Sequence, residues 1–143
     1  MPSSSERVHE FSTTYPTTTA ALPRAREELA RWLRDLGVPD DVNDELLVVA
    51  SELLSNAISA STDPAQELAV AASVDGDCVT LEVTNPPASE FDVVDHWDYD
   101  DPLRPGGRGL IIVESLVDDL AIAPPSRDRS LSVRCQRRFA HHR

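Results

Sequence analysis

The chain has 143 residues, 41% of them hydrophobic, and a formal net charge of −12 from 25 acidic and 13 basic side chains. That length makes one domain with room for a core, and the charge excludes a nucleic-acid surface, since nothing here would neutralise a run of phosphates. All thirteen basic residues are arginine, so no lysine is available for a Walker-type P-loop and any nucleotide must be held by another device.

Residues 1–6 read as disordered, 7–139 as a single domain and 140–143 as a frayed tail. No stretch approaches the roughly 18 consecutive apolar residues of a membrane span. The polar residues Met1 to Glu10 lack the apolar core of a secretory signal, so a cytoplasmic protein without membrane contacts is expected. Val8 to Thr13 alternates weakly and predicts an edge strand. Thr17 to Thr19 offers hydroxyl N-caps for a helix, and Ala21, Leu22, Ala25, Leu29, Trp32, Leu33 and Leu36 form its apolar stripe, with Arg24, Arg26, Glu28 and Arg31 at solvent positions. Gly37 is a natural C-cap, and Pro39 prevents continuation.

Asp40 or Asp41 is expected to cap a second helix, which runs to about Ser59 on the apolar set Leu46, Leu47, Ala50, Leu53, Leu54, Ala57 and Ile58. Glu67 to Val74 and Cys78 to Thr84 predict a hairpin around Asp75-Gly76-Asp77. The segment 85–105 holds four prolines and six carboxylates (Glu90, Asp92, Asp95, Asp98, Asp100, Asp101) and reads as a lid. A third helix over Leu110 to Leu116 follows, then strands over Leu120 to Ala123 and Leu131 to Phe139, with Pro124-Pro125 turning between them. Cys78 and Cys135 fall in strands and are expected as buried reduced thiols, too few for a disulfide framework or a metal site. This order predicts an α+β two-layer sandwich with a mixed, mostly antiparallel sheet and helices on one face.

Two places carry candidate chemistry. Glu52 and Asn56 are four apart, one turn along the second helix. A carboxylate there can orient a water or polarise a hydroxyl, and a carboxamide oxygen suits a hard cation such as Mg²⁺. Spacing alone fits a solvated helix face with an incidental pair better than a site. Gly106, Gly107 and Gly109 flank Arg108 immediately before an apolar helix. Glycines admit close approach, a helix N-terminus favours anions, and Arg108 adds a charge-assisted contact. The bland alternative is a flexible turn feeding the helix; because it follows a long irregular loop, the segment also reads as the hinge of a lid.

In combination, Val48 to Ile58 (VVASELLSNAI), the hairpin, the long loop and Gly106 to Leu120 (GGRGLIIVESLVDDL) resemble the N box and second glycine box of the GHKL (histidine-kinase-like) ATPases. The resemblance is closest to the anti-sigma-factor serine kinases of the RsbW/SpoIIAB type. It covers nearly the whole chain, and it implies the Bergerat type of sandwich and an ATP- and Mg²⁺-dependent protein. By that resemblance Glu52 is the catalytic base, Asn56 the Mg²⁺ ligand, and Gly106, Gly107, Arg108, Gly109 and Leu110 the triphosphate cradle. Asn85 takes the place of the residue that meets the adenine amino group, and Ser132 that of a strand hydroxyl beside the base. The implied partners are a sigma factor and a STAS-type anti-anti-sigma protein, with a homodimer built on the first helix and Trp32 as a further option.

The chain departs from the family pattern at four points. Asn85-Pro86-Pro87 stands where the family has an aspartate followed by glycines, and proline carries no N–H and fixes φ. Ala60 replaces a histidine, Asp128-Arg129-Ser130 replaces a glycine, and the lid is acidic. These departures define an alternative: a GHKL scaffold that binds protein partners without ATP binding or kinase turnover.

Overall fold

The computed structural model describes residues 8–60, 66–85, 107–122 and 132–139. Within them lie strands β1 (Val8–Pro16), β2 (Glu67–Asp75), β3 (Cys78–Thr84), β4 (Asp119–Ile122) and β5 (Ser132–Arg138), and helices α1 (Ala21–Asp35), α2 (Asp40–Ala60) and α3 (Gly107–Leu116). The five strands form one sheet in the order β1-β2-β3-β5-β4, and every described pairing is antiparallel, leaving no parallel pair in the sheet expected to be mixed. The expected disordered terminus 1–6, tail 140–143, lid 86–105 and turn at Pro124-Pro125 lie outside the described residues.

The period of two in the strands sorts their side chains onto two faces. Leu68, Val70, Ala72 and Val74 on β2, Val79, Leu81 and Val83 on β3, and Val133 and Cys135 on β5 are all buried. Against this face pack Ala25, Leu29 and Leu33 of α1, Leu46, Val49, Ala50, Leu53 and Ala57 of α2, and Val113 of α3. The opposite face carries no described helix. The architecture is the expected α+β sandwich.

Local chemistry sets the ends of the elements. Gly37 has φ of 81°, and the Val38 and Gly37 amides donate to Leu33 O and Arg34 O at 3.1 and 3.0 Å. This is a Schellman termination, which needs a left-handed residue that glycine supplies without strain. The N-terminus of α1 differs from expectation. Ala20 is its N-cap and no side chain caps it; the backbone carbonyls of Thr18 and Thr19 accept from Ala21 and Leu22 instead. The Thr17 hydroxyl donates across the fold to Gln66 O at 3.3 Å. For α2, the Asn43 amide donates to Pro39 O at 2.8 Å. Pro39 thus holds the cap position, and Asp40 and Asp41 sit in the first turn, where their charge opposes the positive end of the helix dipole. Gly76, with φ of 61°, opens the two-residue turn between β2 and β3, as primed hairpin turns require.

Glu28, expected at a solvent position, has a structural partner. The hydroxyl of the buried Tyr15 donates to its Oε1 at 2.5 Å, and the Arg24 guanidinium lies 5.6 Å from the Tyr15 ring centre. Burial, then the Glu28 carboxylate, hold the Tyr15 hydroxyl well above its usual range. Trp32 packs on Phe11 of β1 with ring centres 5.5 Å apart, so the stripe offered above as a dimer seam is largely taken up by the chain's own sheet.

The cysteines separate by face. Cys78 is free and half-buried, more open than expected, while Cys135 is free and buried in the core. Burial pushes the Cys135 thiol up from 9.0 to about 12. Because the folded value exceeds the unfolded one, this contribution is intact below about pH 9 and is lost as pH rises through 12. Stability should therefore fall by roughly 1.4 kcal/mol per pH unit from this group across that window. Urea titrations at pH 8 to 11 check this: Cys135→Ala should flatten the slope relative to the parent.

Candidate functional site

The site is built where α2 approaches one end of the sheet. Arg137 of β5 donates to Glu45 Oε2 from Nε at 3.2 Å and from Nη2 at 2.9 Å, which ties the first half of α2 to the hairpin end of the sheet. From Glu45, Asn56 lies eleven residues on, roughly 16 Å along the helix. From Val79, the register partner of Arg137, Asn85 lies six residues on, roughly 20 Å along β3 and its continuation. The C-terminus of α2 then leads to Gln66, at the same end of the sheet as Thr84, because Ala69 pairs with Thr84. Asn56 and Asn85 are thereby carried to one end of the sandwich.

Glu52 and Asn56 are both half-buried, one turn apart on α2. They are held in place by Leu53 and Ala57, which are 1% and 0% exposed. Asn85 follows β3 on the helix-covered side, in step with the buried Val79, Leu81 and Val83, and is 8% exposed. The Nδ2 of Asn56 and the Oδ1 of Asn85 are buried without a hydrogen-bond partner. Buried polar atoms are nearly always paired, so an orphan needs an explanation. Here one orphan is a donor and the other an acceptor, and both lie toward the same end of the sandwich. Asn43 Oδ1 is a third orphan, but Asn43 is a strut between helices: its Nδ2 donates to Ala30 O at 3.2 Å.

Helix α3 packs against α2 and anchors through the fully buried Val113. Gly107, Arg108, Gly109 and Leu110 form its first turn, which presents unsatisfied backbone N–H groups of the kind that bind anions. Their side chains, and Gly106 entirely, lie outside the described residues.

Ser132 is placed differently from the rest. It opens β5 opposite Thr84, on the helix-free face with Glu82 and Arg134, and its hydroxyl bonds that of Thr84 at 2.8 Å. The parity of the strands separates it from Asn85: adjacent positions 84 and 85 point to opposite faces. The hydroxyl pair was not legible in sequence because register was needed to see it. Glu45 and Arg137, 92 residues apart, escaped for the same reason.

The residues fit a magnesium-bound nucleotide at the level of donor type. The Asn56 carboxamide supplies an oxygen suited to Mg²⁺ and an orphan N–H suited to an anion, and Asn85 supplies a buried acceptor. Among the described residues there is no cluster of three or more His, Cys, Asp or Glu that would hold a metal by itself. No helix among the described residues is long and apolar enough to cross a membrane.

Comparison with known proteins agrees with the fold. The sequence pattern of the family described as histidine kinase-like ATPase domain matches residues 15–134. Among solved structures, the RsbU and RsbW domains of Rv1364c from Mycobacterium tuberculosis match with a TM-score of 0.68 at 21% identity, over 91% of this chain and 32% of that one. The chain thus spans about a third of the length of that neighbour. A chain of the SiaB–SiaC complex from Pseudomonas aeruginosa matches with a TM-score of 0.67 at 15% identity, over 92% of this chain and 90% of that one. At these identities the likeness is one of fold.

Proposed function

Because the chain belongs to the histidine kinase-like ATPase family, we propose that it binds Mg·ATP between α2, α3 and the end of β3 and acts as a regulatory serine kinase of the anti-sigma type. The observation that carries the reading is the pair of complementary orphan atoms, Asn56 Nδ2 and Asn85 Oδ1, beside Glu52 on the same stretch of α2. Asn56 holds the cation and phosphates, Asn85 meets the base, and the first turn of α3 receives the phosphates on its backbone. Glu52 takes the proton of the attacking serine hydroxyl. Bound magnesium supplies charge neutralisation at the phosphates, and the rest is positioning, as is usual for phosphoryl transfer.

The partners in this reading are a sigma factor and a STAS-type protein carrying the serine. The neighbours support a protein partner: one joins RsbU and RsbW domains in one chain, and the other is SiaB in complex with SiaC. A second reading, a scaffold that binds partners without nucleotide, is favoured by two observations. Ile111 and Ile112 of α3 are 51% and 42% exposed, and a neutral amide stands at Asn85 where the family pattern has a carboxylate.

Calorimetric titration with Mg·ATP and Mg·ADP separates the two. Saturable heat that vanishes with EDTA supports the first reading; no heat at millimolar nucleotide overturns it in favour of the scaffold.

A further inference from the structure

Resting on the nucleotide reading, we infer that the base pocket does not discriminate adenine from guanine, so that the site takes both purine nucleoside triphosphates. Asn85 is the only polar side chain among the described residues of β3 and its end that is more than nine-tenths buried. Val83, two residues before it on the same face, and Val133, which pairs with Val83, are buried and apolar. Recognition of the base edge by described side chains there falls to one amide.

An amide has no fixed polarity. Its oxygen accepts and its nitrogen donates, and half a turn about χ2 exchanges them at one position without changing shape. In the present orientation the oxygen is the buried, unpartnered atom, ready to accept from a 6-amino group. With the amide turned, the nitrogen donates to a 6-oxo group. Adenine and guanine differ in this respect, one presenting a donor and the other an acceptor at position 6. Strong discrimination arises when a buried group is left unpaired by the wrong ligand, and a group that turns is left unpaired by neither. A carboxylate at this position could only accept, and it would oppose the guanine oxygen.

The test is a comparison of Mg·ATP and Mg·GTP affinities by calorimetry for the parent chain, Asn85→Asp and Asn85→Leu. The parent should bind the two within about tenfold. Asn85→Asp should widen the ratio roughly a hundredfold, mainly by losing GTP, and Asn85→Leu should weaken both alike. A parent that binds ATP but holds GTP more than a hundredfold weaker overturns the inference and leaves nucleotide binding standing. A ratio unchanged in a folded Asn85→Asp protein also overturns it. Binding of neither nucleotide by the parent removes the nucleotide reading and this inference together. If Asn85→Asp fails to fold, the parent ratio alone decides.

Discussion

Asn56→Ala should weaken Mg·ATP binding by roughly a hundredfold and leave the protein as stable as the parent, or up to about 1 kcal/mol more stable. The expected loss is that of a contact to charged groups at the upper end of its usual range, about 3 kcal/mol, or close to a hundredfold. The expected stability follows from the same atom seen without ligand. Nδ2 is buried and unpartnered, and an orphan of that kind costs free energy in the folded state. Removing it relieves that cost and offsets the packing lost from a half-buried side chain. A merely structural asparagine behaves the opposite way, losing stability and leaving ligand affinity alone. Calorimetry and urea unfolding on the same preparation distinguish the two, and a destabilised Asn56→Ala protein with parental affinity would show that Asn56 is a strut like Asn43.

The elements were legible because their signals are local. The stripe Ala25, Leu29, Leu33 has helical spacing, Gly37 ends α1 where a left-handed residue is needed, and Gly76 turns the hairpin. What sequence could not show depends on partners distant along the chain. Glu28 occupies a solvent-facing position by periodicity, yet it binds a tyrosine on β1. The threonines before α1 have capping hydroxyls, yet one of them is spent on Gln66 and the cap passes to backbone. Of the candidate site, Glu52 and Asn56 stand out by a four-residue spacing that gains a role only through the family resemblance, and Asn85 is singled out by that resemblance alone. Ser132 lies on the helix-free face opposite Thr84, and which face a strand residue takes depends on a register that motif order does not contain. The same parity rule that buries Asn85 sends Thr84 and its partner Ser132 to the other face.

Adjacent substitutions on α2 should give opposite signatures. Glu52→Gln preserves shape at a half-buried position and should change stability by no more than about 0.5 kcal/mol. It removes the carboxylate that takes a proton, so phosphoryl transfer to a serine partner should fall by about a hundredfold or more while Mg·ATP affinity stays near parental. Leu53→Ala, one residue on, empties a site that is 1% exposed between α2 and the sheet. It should cost about 3 kcal/mol and lower the melting temperature by roughly 10 °C. At a temperature where Leu53→Ala is still folded, it should bind nucleotide, because the residue touches core and not ligand. The pairing matters because Glu52 is positioned by the burial of its neighbours: the helix that carries the proposed base is fixed by Leu46, Val49, Leu53 and Ala57, all buried to within 1%. If Leu53→Ala abolished binding at a temperature where circular dichroism shows an intact fold, α2 would be positioned by the ligand and not by the core. If Glu52→Gln left transfer unchanged, the kinase reading would stand but its proton acceptor would lie elsewhere, and Glu52 would be one more residue of a solvated helix face.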